Sequence, residues 1–203
     1  MKHRFSRRDF LGQCVSVPLA SLAPSIVFGR SELPSRVSLV EDTEPGEPLT
    51  ITGTVYRPDS RTPAPGIRLD VYHTDFEGYY SRPVNNPRQA RIRGSICTDS
   101  NGRYEIRTIH PGHYTGQAAP PSAHIHVHVS GSSVPHHWID SFLFENDPFL
   151  RADDLARGRE LGAFTHVMRI ARDGGGRRAG VRNIRLDETL FERNRLLNGW
   201  YKQ

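Results

Sequence analysis

Ala123-His-Ile-His-Val-His-Val129 alternates histidines with apolar residues at a period of two. On an extended strand this turns His124, His126 and His128 to one face and Ile125, Val127 and Val129 to the other. That is the pattern of a strand with one side in a core. Outward from it, short runs rich in β-branched and aromatic residues predict further strands at 50–56, 67–74, 93–98, 104–109, 139–144, 164–171 and 181–186. Turn chemistry separates them: Pro58-Asp59, Pro65-Gly66, Asn101-Gly102, Pro111-Gly112 and the glycines from Gly174 to Gly180. The expected fold is all-β, an antiparallel β-sandwich of about eight strands with short helical additions at 152–159 and 190–197. The Gly174 to Gly180 cluster opens no helix and has no Lys-Ser/Thr after it, so it reads as a hairpin turn rather than a phosphate loop.

With 203 residues, 36% of them hydrophobic, the chain has room for one domain with a real core. Its formal charge of +5 is concentrated at the start, where Lys2, Arg4, Arg7, Arg8 and Arg30 face Asp9 alone. The remainder is close to neutral, which argues against nucleic acid as a partner. Ser6-Arg-Arg-Asp-Phe-Leu11 resembles a twin-arginine export signal, and the apolar run behind it is broken by Pro18 and Pro24. That run is too short for a membrane span, so no stable span is expected once the signal is removed. The expected organisation is an export signal at 1–30, an extended lead-in at 31–48 and the sandwich at 49–203, in a protein addressed to the periplasm or the outside. Cys14 lies in the signal segment, leaving Cys97 and no internal disulfide.

Eight of the ten histidines fall between His73 and His137. Same-face neighbours on a strand lie ~7 Å apart, so two imidazoles can converge on one ion. A His-x-His pair alone serves zinc, copper and iron proteins alike, and a solvated histidine face is the bland alternative. Context narrows the choice. Gly78-Tyr-Tyr-Ser81 follows one predicted strand and Thr108-Ile-His-Pro-Gly-His-Tyr114 follows another. Two phenolates with two neutral imidazoles make a hard, strongly donating set suited to a trivalent ion such as iron. A cupin-type site is disfavoured, because no Glu follows the second histidine in Val127-His-Val-Ser-Gly-Ser132.

The motifs Leu69-Asp-Val-Tyr-His-Thr-Asp-Phe-Glu-Gly-Tyr-Tyr-Ser81, Arg93-Gly-Ser-Ile-Cys-Thr-Asp-Ser-Asn-Gly-Arg-Tyr104, Thr108-Ile-His-Pro-Gly-His-Tyr114 and Ala123-His-Ile-His-Val127 stand in one order. From residue 50 to about 150 this run resembles the intradiol ring-cleavage dioxygenases. The resemblance implies a β-sandwich holding one non-haem ferric ion, Fe(3+), through Tyr80, Tyr114, His124 and His126. Tyr80 rather than Tyr79 takes the ligand position, two residues after the glycine, and His128 is no ligand. It further implies an aromatic diol and O2 as small-molecule partners, Tyr114 as the ligand that leaves the metal and acts as a base, and cleavage between the two hydroxylated carbons to a muconate-type diacid. Several family members assemble from more than one chain, so a homo-oligomer is compatible with it.

Two positions depart from the family pattern. Where it places an Arg before the first His ligand this chain has Pro121, and where it places a pocket Gln this chain has Ser141. The second reading is therefore a non-catalytic metal- or ligand-binding sandwich. Arg82, Arg88, Arg91 and Arg93 are candidates for a replacement cation, and Gln117 for a replacement amide. His110, His113, His136 and His137 fall near expected strand ends, either at a pocket mouth or as exposed loop residues, and Trp138, at a strand start, is expected in the core ahead of a place in the pocket lining.

Overall fold

The computed structural model describes residues 33–187 except 133, 173, 175 and 176. In chain order the strands are β1 (Arg36–Ser38), β2 (Pro48–Tyr56), β3 (Arg68–His73), β4 (Ile92–Cys97), β5 (Arg103–Ile109), β6 (His124–Gly131), β7 (Val134–Trp138) and β8 (Phe142–Phe144). Helix α1 (Ala152–Leu161) follows, then β9 (Val167–Met168), β10 (Ile170–Arg172), β11 (Arg178–Val181) and β12 (Ile184–Arg185). One sheet runs β1-β5-β2-β11-β10 with β12 also on β2, and the other runs β4-β3-β6-β8-β9 with β7 also on β6. The all-β sandwich with a short helical addition is the observed fold. Among the described residues no helix is long and apolar enough to cross a membrane.

The core is made by the inward faces of the alternating strands. Ile125, Val127 and Val129 of β6 are fully buried with Leu69 and Val71 of β3, and they meet Leu49, Ile51, Val55 and Ile106 in one apolar cluster. The same alternation obliges His124, His126 and His128 to stand on the outer face of the second sheet, where each is half-buried.

The structure departs from the sequence reading at the short elements. The lead-in holds β1, which pairs in parallel with β5 at Arg36↔Glu105; only three residues long and mostly exposed, it carries no hydrophobic pattern. Of the expected strand 139–144 only 142–144 is strand, as β8, and β7 precedes it at 134–138, outside the expected bounds. β7 extends the His face of β6, and β8 is buried on both sides, so Phe142, Leu143 and Phe144 show no alternation. The expected strands 164–171 and 181–186 likewise divide, and β11 and β12 both lie parallel to β2, so the sheets are not wholly antiparallel. The glycine cluster does join a hairpin, with Ile170↔Gly180 and Arg172↔Arg178 in register. The expected helix at 190–197 and the expected signal at 1–30 lie outside the described residues.

His73 bridges the two sheets. Fully buried, it sits 2.6 Å through Nδ1 from the Thr74 carbonyl oxygen and 2.7 Å through Nε2 from Thr108 Oγ1. The carbonyl can only accept, so Nδ1 carries the proton and Nε2 accepts from the hydroxyl. Burial pushes the imidazole down to about 4, against a weaker pull upward from the Thr74 carbonyl. Between that value and the ordinary ~6.5 of an unfolded histidine, the unfolded chain binds the extra proton, so stability falls as pH falls through this window. Denaturant unfolding at a series of pH values is expected to show a loss of about 3 kcal/mol between pH 6.5 and 4 in wild type beyond that in His73→Gln. Equal slopes in the two proteins would contradict this role.

Candidate metal centre

Two imidazoles and two phenols converge on the outer face of the second sheet. His124 and His126 come from β6 with their Nε2 atoms 3.1 Å apart. His124 Nδ1 donates to the Ser122 carbonyl at 2.7 Å, which fixes the tautomer and leaves Nε2 with a bare lone pair aimed at its neighbours. Tyr80 Oη lies 2.7 Å from His126 Nε2 and 2.5 Å from Tyr114 Oη. Tyr114 Oη lies 2.8 Å from His124 Nε2 and 3.2 Å from His126 Nε2. All four side chains predicted from the sequence are thus brought together.

The two tyrosines arrive on loops held to each other by backbone contacts. Asp75 starts the first loop: its Oδ1 accepts from the amides of Glu77 and Tyr79, and its amide donates to the Tyr79 carbonyl. Tyr80 is then pinned from both sides, its amide donating to Asn85 Oδ1 and its carbonyl accepting from the Arg91 amide. The second loop is tied to the first where the Gly112 amide donates to the Asp75 carbonyl and Thr74 Oγ1 donates to the Gly112 carbonyl. Gly78, at φ +86°, lies so close to this second loop that a Cβ there would sit 1.8 Å from the His113 carbonyl oxygen. The two phenols therefore share one scaffold.

Burial drives every member of the cluster toward its neutral form. It raises the Tyr80 phenol strongly, with the Tyr114 hydroxyl adding to the rise, and it raises the Tyr114 phenol as well. It pushes His126 down to about 3, with His124 the next cause, and lowers His124. Tyr72, stacked on His126 at 4.7 Å between ring centroids, is pushed up to about 12 by the same desolvation. A multivalent cation among these atoms reverses the balance for the phenols, because it favours the ionised form.

The donor set fits such an ion. The close neighbours among the four donor atoms stand 2.5–3.2 Å apart, the edge lengths expected around an ion bound at roughly 2 Å. Among the described residues no group of three or more His, Cys, Asp or Glu side chains is placed to hold a metal ion, so the donors that join the imidazoles are phenols. Phenolate oxygen with imidazole nitrogen is a hard set matched to iron rather than to the thiolate-preferring metals.

The remaining candidates separate clearly. The Tyr79 ring lies under the Arg82 guanidinium at 4.1 Å, outside the cluster. His128 contacts Trp138 and His136, with ring centroids 3.7 and 4.6 Å away, and ligates nothing with the tetrad. His113 Nε2 pairs with Asp147, which also accepts from the Ala123 amide and so anchors the start of β6. His110 packs on Phe144, and His137 is buried with Nδ1 on the Pro135 carbonyl. Trp138 is not a core residue: it stands half exposed beside the histidine face, because β7 ends on the outer side of the sheet.

Of the candidate cations, Arg91 is held by Glu44 and Arg82 by Glu77 and Asp75. Gln117 is exposed. Pro121 and Ser141 do line an open groove of about 960 Å³ together with His124, Leu143, Asp140 and Arg157. Arg157 is delivered there by α1 and held by Asp140 at 2.8 Å. No local pattern marks it, since the groove is assembled from segments remote in sequence.

Comparison with known proteins agrees with this geometry. Residues 29–187 match the family Dioxygenase_C, described as dioxygenase. Catechol 1,2-dioxygenase 1 of Acinetobacter lwoffii is 30% identical over 145 residues, 62% of this chain and 45% of that protein. Chlorocatechol 1,2-dioxygenase of Rhodococcus opacus is 30% identical over 151 residues, 66% and 56% of the two chains. The chain thus spans about half the length of these curated relatives. The dioxygenase domain of a dioxygenase carbohydrate-binding protein fusion from Streptomyces sp. SirexAA-E superposes with a TM-score of 0.57 at 28% identity, covering 81% of this chain and 95% of that one. By the extent of the family match and the order of its motifs, this chain belongs to the intradiol dioxygenases.

Proposed function

We propose that Tyr80, Tyr114, His124 and His126 hold one ferric ion, and that the protein cleaves a catechol-type aromatic between its two hydroxylated carbons with O2, yielding a muconate-type diacid. The observation that carries this reading is the convergence of two phenols and two imidazoles, with the His124 lone pair already turned inward by Ser122. When bound, ferric iron acts as the Lewis acid that draws electron density from a catechol dianion so that its ring can meet O2.

The chain's own residues divide the remaining work. Tyr80 is buried and its backbone is bonded on both sides, which suits a ligand that stays. Tyr114 is half-buried, and its Oη is the atom that would accept a proton from a substrate hydroxyl. The groove beside His124 receives the substrate ring, with Leu143 and Phe149 as apolar wall and Arg157 as its cation. Residues 1–30 act as a twin-arginine export signal in this reading, which a reporter fusion carrying Arg7→Lys and Arg8→Lys tests through loss of export.

The second reading, a sandwich that binds metal without turnover, rests on Pro121 and Ser141, which offer neither a guanidinium nor an amide to a reacting substrate. Loss of one preorganised polar group costs ~100-fold or more in rate. An oxygen electrode with iron-loaded protein and a panel of substituted catechols separates the two. Equimolar uptake of O2 and formation of a ring-opened diacid is expected with at least one catechol. No uptake with any of them would remove the enzymatic reading and leave the second.

A further inference from the structure

A second groove runs beside the Tyr72 and Trp138 rings that contact His126, and nothing in the proposed reaction uses it. Two cross-strand rows build it. In one, Arg93 of β4, Tyr72 of β3 and His126 of β6 stand side by side; in the next, Ser95, Asp70 and His128 continue to Trp138 of β7. Neighbouring strands are ~4.8 Å apart, so Arg93 stands two strands, roughly 10 Å, from His126. The short turn Pro87–Gln89 closes one edge and brings in Arg88. The space enclosed is about 640 Å³, enough for a substituted benzene ring.

Charge and ring chemistry in this groove are unequal. Asp70 is engaged by Arg68 and by Ser95 Oγ, which balances the Arg68 charge. Arg88 and Arg93 make no ion pair among the described residues, and the one hydrogen bond of the Arg93 guanidinium is a long contact of 3.4 Å to the Arg88 carbonyl. Beside them Trp138 is 51% exposed, its ring 6.1 Å from Tyr72 at a steep angle. Two uncommitted guanidiniums suit a carboxylate, and an indole meeting a phenol ring edge-to-face suits a flat apolar ring. With Arg68 paired to Asp70, two uncommitted cations disfavour a polymer such as single-stranded nucleic acid, which needs a tracking row of charge.

We propose that this groove is a binding site for an aryl carboxylate, with the ring against Trp138 and Tyr72 and the carboxylate on Arg88 and Arg93. The site stands on its own geometry and does not require turnover at the metal. It places a carboxylated aromatic against the rings that contact His126, whose centroid is 5.6 Å from that of Trp138.

Trp138 and Trp200 are the chain's two tryptophans, so the iron-loaded full chain with Trp200→Phe reports on Trp138 alone. Benzoate is expected to quench that fluorescence saturably, and benzyl alcohol and cyclohexanecarboxylate to bind at least about tenfold more weakly, since each lacks one half of the recognition. Arg93→Gln alone, and Arg88→Gln with Arg93→Gln, are expected to weaken benzoate by about tenfold or more while the visible absorption of the metal centre is unchanged. Equal benzoate affinity in these variants would overturn the proposal. So would quenching that tracks a shift of the visible band and disappears in Tyr80→Phe, which would place benzoate on the metal, or an indole that acrylamide cannot reach.

Discussion

Tyr80→Phe is expected to leave the fold intact and to alter the charge-transfer colour expected of the iron-loaded protein. Oxygen uptake with catechol is expected to fall by more than about 100-fold, the scale of losing a preorganised group at a reacting centre. The phenyl ring fills the same buried space, so packing is kept, and the change is confined to one oxygen. That oxygen has two close neighbours in the cluster, Tyr114 Oη and His126 Nε2. In the proposed centre its loss would leave three donors, with Tyr114 as the one phenol among them. Visible absorption, iron stoichiometry and circular dichroism on the same sample separate loss of the ligand from loss of the fold. Tyr114→Phe is expected to retain iron and shift the band, because Tyr80 remains. A Tyr80→Phe protein with unaltered colour and turnover would remove Tyr80 from the centre.

Gly78→Ala is expected to have the largest effect on stability of any single methyl group added near the site. The added Cβ would meet backbone, the His113 carbonyl oxygen at 1.8 Å, and the residue would have to hold φ +86°. Neither the strain nor the clash can be relieved by a side-chain rotation, so the loops carrying Tyr80 and Tyr114 must part. Backbone strain and overpacking of this kind together cost about 3–5 kcal/mol. Thermal unfolding is expected to fall by about 10 °C, with weaker iron binding in parallel. Gly66→Ala is the control, since Gly66 has φ +71° but nothing within 4 Å of its Cβ position, so it bears the strain without the clash. Equal losses at the two glycines would show that the close approach of the loops is not what matters.

The long strands were legible because each has one face in the core and one outside. β2, β3, β5 and β6 carry that alternation, and their bounds follow the sequence pattern within two residues. β1 was not legible, because a three-residue edge strand with mostly exposed side chains owes its place to pairing with β5. β8 hid its limits for the opposite reason, being buried on both faces. Trp138 was expected in the core from its place at a strand start, when the register of β7 on β6 is what stands it beside His128 on the outer face.

At the site, period two alone was enough to bring His124 and His126 to one side. It did not choose between Tyr79 and Tyr80; the ordered motifs did, and the cation contact between Tyr79 and Arg82 accounts for the other ring. Arg157 was beyond reach, because its position in the groove depends on how α1 folds back over the second sheet, which no local pattern encodes.

Crystals of the iron-loaded protein, with anomalous differences collected at the iron edge, test the metal centre most directly. A single strong peak is expected at roughly 2 Å from Tyr80 Oη, Tyr114 Oη, His124 Nε2 and His126 Nε2, the usual range for oxygen and nitrogen ligands. A peak elsewhere on the molecule, or bound iron with no peak among these four atoms, would contradict the assignment of a ferric centre to this cluster.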